Sequence, residues 1–176
     1  VFMFKGEVYI GLDGHSLSET NLDFAQNNLR ILSGLYGYLK PLDLVQAYRL
    51  EMGTKVNVGR KKNLYEFWGE KIANQINIDL QSHSSNTVIN LASNEYAKAA
   101  RLANISGNVV TPVFRDFKNG EYKVISFFAK KARGIMARWI IQKEIVNPNE
   151  INGFSEDGYV FNEILSTPET PVFTRE

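Results

Sequence analysis

The amino-acid sequence predicts an α+β fold, in which a mixed β-sheet that contains a hairpin is flanked by helices. Helical and strand-like patterns are interspersed along the chain, which favours a layered structure of both element types. Asn119-Gly120, between two apolar stretches, is a strong hairpin signal and argues against a purely parallel sheet. The chain has 176 residues, 44% of them hydrophobic and 22% charged, so we expect residues 1–176 to form a single compact unit with its own core.

In the N-terminal half, residues 5–12 alternate in polarity and are predicted to form a strand. A capping-box pattern that begins at Ser16 predicts a helix as far as about Ser33, before two glycines. Residues 48–52 alternate again and predict a second strand. Asn63, followed three residues later by a glutamate, predicts the start of a long helix whose apolar stripe continues to Leu80.

In the C-terminal half, residues 87–91 are predicted to form a short buried strand, which leads into a helix capped by Ser93. Strands are predicted at 108–117 and 121–128, on either side of the hairpin turn. A long helix is predicted from Ala129 to about Ile145, followed by short strands near 159–161 and 172–173.

The composition excludes several kinds of chemistry. The chain has no cysteine, so disulfides, thiolate catalysis and Cys-ligated metals are excluded. His15 and His83 lie far apart and lack a metal-binding spacing, so we predict no metal and no cofactor. No apolar run approaches the ~20 residues of a membrane span, and there is no signal peptide, so we expect no membrane partner and a cytoplasmic location. Because the first residue is Val1, we expect the sequence to be part of a longer protein.

The charge is distributed unevenly along the chain. The net charge is only +1, but residues 144–176 contain seven acids and one base, which gives −6. Residues 1–143 therefore carry 19 bases and 12 acids, which gives +7. A basic body with an acidic tail suggests a polyanionic partner, with the tail competing for the same surface; a solvated tail without a role is the alternative.

The long helix carries the main candidate site. Residues 122–143 contain six cations and no acid. At about 100° per residue, one side is apolar and should face the core, while Lys130, Lys131 and Arg138 cluster opposite with Gly134 between them. A glycine inside a helix costs about 0.5–1 kcal/mol relative to alanine, so we interpret Gly134 as an open groove where a phosphate, sugar or base could approach the backbone. The alternative is that Gly134 makes room for a neighbouring element. The predicted nucleic-acid-binding residues are Lys130, Lys131, Arg133, Gly134 and Arg138, supported by Arg49 and Lys61.

Lys61 belongs to a second basic cluster, in a predicted loop before the Asn63 helix. Its members are Lys55, Arg60, Lys61 and Lys62. Such a loop can contact phosphates without reading bases. The alternative is a loop whose cations are only solvated.

A different set of residues could form a ligand pocket. Its members are Arg49, Glu51, Asn90, Ser93 and Glu95. Arg49 and Glu51 lie on one face of a predicted strand, and Asn90–Glu95 follows a strand end, where ligands of α/β folds often bind. A structural ion pair and an ordinary helix cap explain the same residues. No known catalytic motif is present, so no catalytic residue is predicted and an enzyme is not favoured.

Several sequence blocks together resemble the YaaA-type family of bacterial peroxide-stress proteins, and they cover essentially the whole chain in order. The blocks are Phe4-Lys5-Gly6-Glu7-Val8-Tyr9, Leu32-Ser33-Gly34-Leu35-Tyr36-Gly37, Lys40-Pro41-Leu42-Asp43-Leu44, Tyr48-Arg49-Leu50-Glu51-Met52-Gly53, Leu64-Tyr65-Glu66-Phe67-Trp68-Gly69, Asn90-Leu91-Ala92-Ser93-Asn94-Glu95-Tyr96 and residues 126–138 of the basic helix.

The resemblance implies a cytosolic protein that helps bacteria survive peroxide, limits damage from unincorporated iron and binds DNA. It also implies that this chain is the larger, C-terminal part of the family's length, and that the N-terminal part contains a segment similar to a helix-hairpin-helix DNA-binding motif. We therefore expect a DNA-binding stress protein without sequence preference. The alternatives are an enzyme that acts on a nucleotide, nucleic acid or other anionic metabolite, and a protein that sequesters iron itself. The residues carry no signal for an oligomeric state.

Overall fold

A computed structural model of the chain, which describes all of residues 1–176, contains six α-helices and eight short strands. The helices are α1 (Glu7–Leu12), α2 (Glu19–Asn28), α3 (Leu64–Trp68), α4 (Lys71–Leu80), α5 (Asn94–Ala99) and α6 (Ser126–Gln142). The strands are β1 (Ile31–Ser33), β2 (Gly37–Leu39), β3 (Thr87–Ile89), β4 (Asn108–Val110), β5 (Val113–Lys118), β6 (Glu121–Lys123), β7 (Val160–Phe161) and β8 (Val172–Arg175). Four short 3₁₀ segments connect them, at Gly14–Ser16, Leu102–Asn104, Pro148–Gly153 and Glu163–Leu165.

The strands form three separate sheets. β1 and β2 pair as an antiparallel hairpin, and β3 pairs with β4 in parallel. The third sheet has the order β6-β5-β8-β7, in which only the central β5–β8 pair is parallel. Helices and mixed sheets together confirm the predicted α+β class.

Three hydrophobic clusters fill the interior, and α6 contributes to two of them. Ala137 and Ile141 pack with residues of α1, α2, β1 and β2. Ala129, Ala132 and Met136 pack against the four-stranded sheet, so the predicted apolar side of this helix is confirmed. The third cluster lies between α3, α4 and α5. Thus α6 joins the N-terminal helices to the C-terminal sheet.

The helices α1 and α6 touch through their backbones at two glycines. A Cβ on Gly134 would lie 1.9 Å from the Val8 carbonyl oxygen, and a Cβ on Gly11 would lie 2.2 Å from the Lys131 carbonyl oxygen. Real Cβ atoms do not approach other atoms so closely, so each helix needs a glycine at this crossing. The predicted strand at residues 5–12 is therefore wrong: a helix is required to bring Val8, Gly11 and Leu12 to one side, at spacings of three and four residues.

Two other N-terminal predictions are corrected. The helix predicted to reach Ser33 is capped by Ser18, whose Oγ accepts from the Asn21 N–H at 3.2 Å, and it ends at Asn28. Residues 31–33 pair with β2 instead, because the turn between Gly34 and Gly37 closes a hairpin. The strand predicted at 48–52 has no ladder partner, although Met52 is fully buried.

The remaining differences from the predictions concern where helices and strands begin and end. The cap at Asn63 is confirmed, since its Oδ1 accepts from the Glu66 N–H at 2.9 Å. The helix that follows is divided by Gly69, whose φ of 50° places it in the left-handed region. Residues 108–117 divide into β4 and β5 at Pro112, and α6 begins at Ser126, so the strand predicted at 121–128 is shorter than expected.

The Asn119-Gly120 hairpin is confirmed. Both residues have positive φ, 56° and 84°, as a type I′ turn requires. The turn sets the register in which Phe117 faces Tyr122 and Asp116 faces Lys123.

We expect Gly134→Ala to destabilise the protein by about 2 kcal/mol or more, because the new methyl group displaces the α1 backbone. Helix propensity alone predicts the opposite sign, a gain of about 0.5–1 kcal/mol. Chemical denaturation monitored by circular dichroism measures the difference. Gly153→Ala is a matched control, since a Cβ there meets nothing within 4 Å. If the two variants are equally stable, the close backbone contact between α1 and α6 at Gly134 is contradicted.

A second prediction concerns Asp79 in α4, which accepts hydrogen bonds from Arg30 Nε at 2.6 Å and from Tyr38 Oη at 2.8 Å. Burial raises the pKa of Asp79, but the bonds from Tyr38 and Arg30 outweigh burial and leave the pKa below its ordinary value. A lowered pKa stabilises the fold above the unfolded-state pKa of about 4, and this contribution is lost as the pH falls through the folded-state pKa.

We therefore expect Asp79→Asn to lower the free energy of unfolding by about 1 kcal/mol at pH 7, and by less at pH 3. Urea unfolding across this pH range checks the difference. Asp23→Asn, at an exposed carboxylate without an ion pair, is the control. If the difference in free energy of unfolding between wild type and Asp79→Asn does not change with pH, the lowered pKa of Asp79 does not stabilise the fold.

Candidate nucleic-acid interface

The structure separates the predicted basic-helix residues into free and occupied cations. Lys130 is exposed and forms no ion pair. The Lys131 ammonium lies 3.5 Å from an Asp157 carboxylate oxygen. Arg138 donates from Nη1 to Asp13 Oδ2 at 2.8 Å. Two of the three cations expected on the open side of α6 therefore already have carboxylate partners.

Arg133 lies on a different side of α6 and is half-buried. Its Nε donates to the Ala129 carbonyl oxygen at 3.2 Å, and its Nη1 donates to the Ala92 carbonyl oxygen at 3.0 Å. Burial lowers the pKa of Arg133, and no carboxylate compensates its charge. This contact joins α6 to the segment that contains Asn90 and Ser93, which sequence spacing could not show.

The interpretation of Gly134 as an open groove is wrong. Gly134 is buried, and the space beside it is filled by the backbone of α1 near Val8 and Leu12. The alternative, that the glycine makes room for a neighbouring element, is what the structure shows. No phosphate can approach the helix backbone at that position.

The acidic C-terminal region reaches the basic helix through one residue. Asp157 has a left-handed φ of 54° and contacts Lys131. It also accepts from Arg175 Nη1 at 2.9 Å, while Arg175 is further paired with Asp116. Tyr159 donates to Asp116 at 2.9 Å, and burial together with this bond raises the pKa of Tyr159. The network fixes the end of β8 and partly neutralises Lys131.

Arg49 and Glu51 are both highly exposed. Their closest nitrogen–oxygen distance is 4.0 Å, and the Arg49 side chain is 93% exposed. An exposed pair of this kind contributes little to stability. Arg49 is thus available to a partner, although the strand predicted to hold it is absent.

The other predicted pocket residues have structural roles. The Asn90 amide donates to Thr111 Oγ1 at 3.3 Å and accepts from the Ala92 N–H at 3.2 Å. Glu95 accepts from the Gly53 N–H at 2.6 Å. Ser93 occupies the N-cap position of α5, but its side chain makes no capping bond.

The cluster Lys55, Arg60, Lys61 and Lys62, hereafter the basic turn, is the largest group of free cations. All four side chains are exposed and none forms an ion pair. Val58 and Lys61 exchange two backbone hydrogen bonds, of 2.9 and 3.0 Å, around Gly59, whose φ is +59°. Val56 and Val58 anchor the base of the turn on the core between α3, α4 and α5. The turn therefore projects its cations from a fixed base.

Sequence reasoning missed two exposed aromatic residues. Phe127 and Phe128 lie within the strand predicted at 121–128, but in the structure they occupy the first turn of α6 and are 55% and 39% exposed. The signal that could have found them is their position directly before Ala129-Lys130-Lys131.

No three histidine or acidic side chains converge in a group that could hold a metal ion. None of the helices is both long and apolar enough to cross a membrane.

The fold defines an α+β protein whose surface carries a group of unpaired cations. Comparison with known proteins assigns its family. Residues 1–165 match the family model described as peroxide stress protein YaaA. The chain is 59% identical over 176 residues to a UPF0246 protein of Aliivibrio fischeri (strain MJ11), and 54% identical over 176 residues to one of Shewanella amazonensis. Both alignments cover 100% of this chain and 68% of the relative.

The chain therefore belongs to the YaaA family of peroxide stress proteins, as its sequence blocks predicted. This membership supports a role in the bacterial response to peroxide stress.

Proposed function

We propose that this protein binds DNA through its exposed cations, without reading the base sequence, and thereby limits iron-dependent oxidative damage during peroxide stress. The proposal combines the family's role in peroxide stress with the distribution of free positive charge.

The observation that carries the proposal is the basic turn. Four cations are held within eight residues, and no carboxylate lies within ion-pair distance of any of them. A free cation that meets a DNA phosphate releases a condensed counterion, and this release is the main source of non-specific affinity. A cation already paired with a carboxylate gains less, because it exchanges one anion for another.

The difference between free and paired cations places the centre of the proposed interface on the basic turn instead of on α6. On α6, Lys130 is free, whereas Lys131 and Arg138 are paired and Arg133 donates to backbone carbonyl groups. We assign the strongest phosphate contacts to the basic turn, with Arg49 and Lys130 in support. Lys131 and Arg138 contribute only where DNA displaces their carboxylate partners.

Protection against iron follows from the same exchange of ions. Iron(II) associates with DNA phosphates as a counterion, and hydrogen peroxide that reacts with it there produces hydroxyl radicals beside the sugar and the bases. Bound lysine and arginine side chains displace such counterions. In this proposal the protein lowers the amount of iron on DNA without binding iron itself.

A second candidate is an enzyme that acts on a nucleotide or other anionic metabolite. The observation in its favour is the contact between Arg133 and Ala92, which places a half-buried guanidinium without a carboxylate beside Ser93. Asn90 and Glu95 already have structural partners, which leaves Arg133 and Ser93 as the candidate ligand-binding groups at this position.

We expect the triple variant Arg60→Gln, Lys61→Gln, Lys62→Gln to bind duplex DNA about ten- to a hundred-fold more weakly at low salt. Its plot of log affinity against log salt should also be shallower by about 2–3, since each phosphate contact contributes about 0.9 to the slope. Fluorescence anisotropy over a salt series measures both quantities.

The matched control removes three cations that already have carboxylate partners, through Arg101→Gln, Lys123→Gln and Arg138→Gln. Both triple variants change the net charge equally. If they weaken binding to the same extent, only net charge matters and the basic turn is not the interface. A wild-type affinity that does not depend on salt would refute DNA binding through phosphates.

We further expect the wild-type protein to slow the nicking of supercoiled plasmid by iron(II) and hydrogen peroxide, in proportion to the fraction of DNA bound. The basic-turn variant should protect less at equal concentration, and salt should remove the protection of both. Gel quantification of nicked plasmid gives the rates. Equal protection by wild type and variant would show that protection does not require DNA occupancy.

A further inference from the structure

The first turn of α6 exposes two aromatic rings that the core does not use. Phe127 and Phe128 are 55% and 39% exposed, with ring centroids 5.7 Å apart and ring planes at 74°. Elsewhere in the C-terminal half, Phe114, Phe154 and Phe173 are essentially fully buried against one another. Phe127 and Phe128 are adjacent, so their exposed faces form one apolar patch, which is more typical of a binding surface than single exposed side chains are.

Three cations lie near these rings. Lys130 and Lys131 follow Phe127 by three and four residues, which places all three side chains on adjoining parts of the helix surface. The Arg175 guanidinium carbon lies 4.8 Å from the centroid of the Phe128 ring. No acidic residue occurs in α6, but Lys131 is paired with Asp157, and Arg175 is paired with both Asp157 and Asp116. Lys130 is therefore the unpaired cation beside the rings.

This combination determines which kind of partner fits. An apolar protein surface would cover the rings, but it would also remove water from the Lys130 ammonium. The lost hydrogen bonds to water would not be replaced, so binding would cost free energy. Single-stranded DNA meets both requirements, because an unpaired base stacks on an aromatic ring while the adjoining phosphate pairs with a lysine. Duplex DNA cannot do so at this site, since its bases are already stacked inside the helix.

We infer that Phe127 and Phe128 form a stacking site for unpaired bases of DNA, with the adjoining phosphate held by Lys130. The inference rests on the proposed DNA binding and adds the form of DNA that this surface selects. The basic turn holds phosphates of any DNA, and the aromatic site distinguishes single strands from duplex.

The test compares wild type with Phe127→Ala and Phe128→Ala, using a single-stranded oligonucleotide that contains 2-aminopurine and a duplex of equal length. Stacking of 2-aminopurine on a ring lowers its fluorescence. We expect each substitution to weaken single-strand binding about five- to a hundred-fold, since one stacked base contributes about 1–3 kcal/mol, and to leave duplex affinity unchanged. The fluorescence change should be lost. Phe127→Leu, which retains apolar area without an aromatic face, should behave like Phe127→Ala.

The outcomes separate this inference from the proposed function. If the alanine variants bind single strands as well as wild type does, while the basic-turn variant still loses duplex affinity, the stacking site is refuted and DNA binding remains. If no DNA of either form binds at low salt, both proposals fail. If Phe127→Ala abolishes self-association without changing single-strand affinity, the rings contact a second copy of the chain and the inference is wrong.

Discussion

The contact between α1 and α6 at Gly11 and Gly134 is the constraint on which the rest of the structure depends. It brings two helix backbones closer than any side chain would allow. One side of α6 thereby faces the N-terminal helices, while its apolar side, with Ala132 and Met136, faces the four-stranded sheet. A helix held on two sides has little surface left for a ligand, so the same contact also limits where a binding site can lie.

The crossing further determines the charge on α6. Because α1 lies across α6, Asp13, which directly follows α1, comes to lie beside Arg138. On the sheet side, Asp157 comes to lie beside Lys131 because Arg175 at the end of β8 holds it there. A segment that has no acid in its sequence therefore carries much less free charge in the folded protein. Near the start of α6, Lys130 forms no ion pair and follows the exposed rings of Phe127 and Phe128.

The sequence predicted several features that depend on near neighbours. The Asn119-Gly120 turn, the Asn63 cap and the apolar side of α6 each follow from residues within about one turn of chain, and all are found in the structure. The basic turn is similar, since its four cations are close in sequence and its loop conformation leaves them exposed.

What the sequence could not predict depends on partners that are distant along the chain. Gly11 and Gly134 are separated by more than a hundred residues, so alternation in residues 5–12 suggested a strand and Gly134 suggested an open groove. The carboxylate beside Arg138 is 125 positions away. The sequence shows how many cations the chain has. Whether each cation is free to bind a partner depends on tertiary contacts of this kind.

The proposed function has two parts, DNA binding and protection against iron, and both depend on cations that have no carboxylate partner. Cysteine is absent from the chain, so none of its side chains can reduce peroxide through a thiol. In the proposed function, a free cation on the basic turn acts by a different route, since the counterion that it releases from a phosphate can be a sodium ion or an iron(II) ion. In this proposal, DNA binding and the removal of iron from DNA are the same ion-exchange equilibrium. A paired cation such as Arg138 contributes little to either, because its charge already serves to hold α1 against α6.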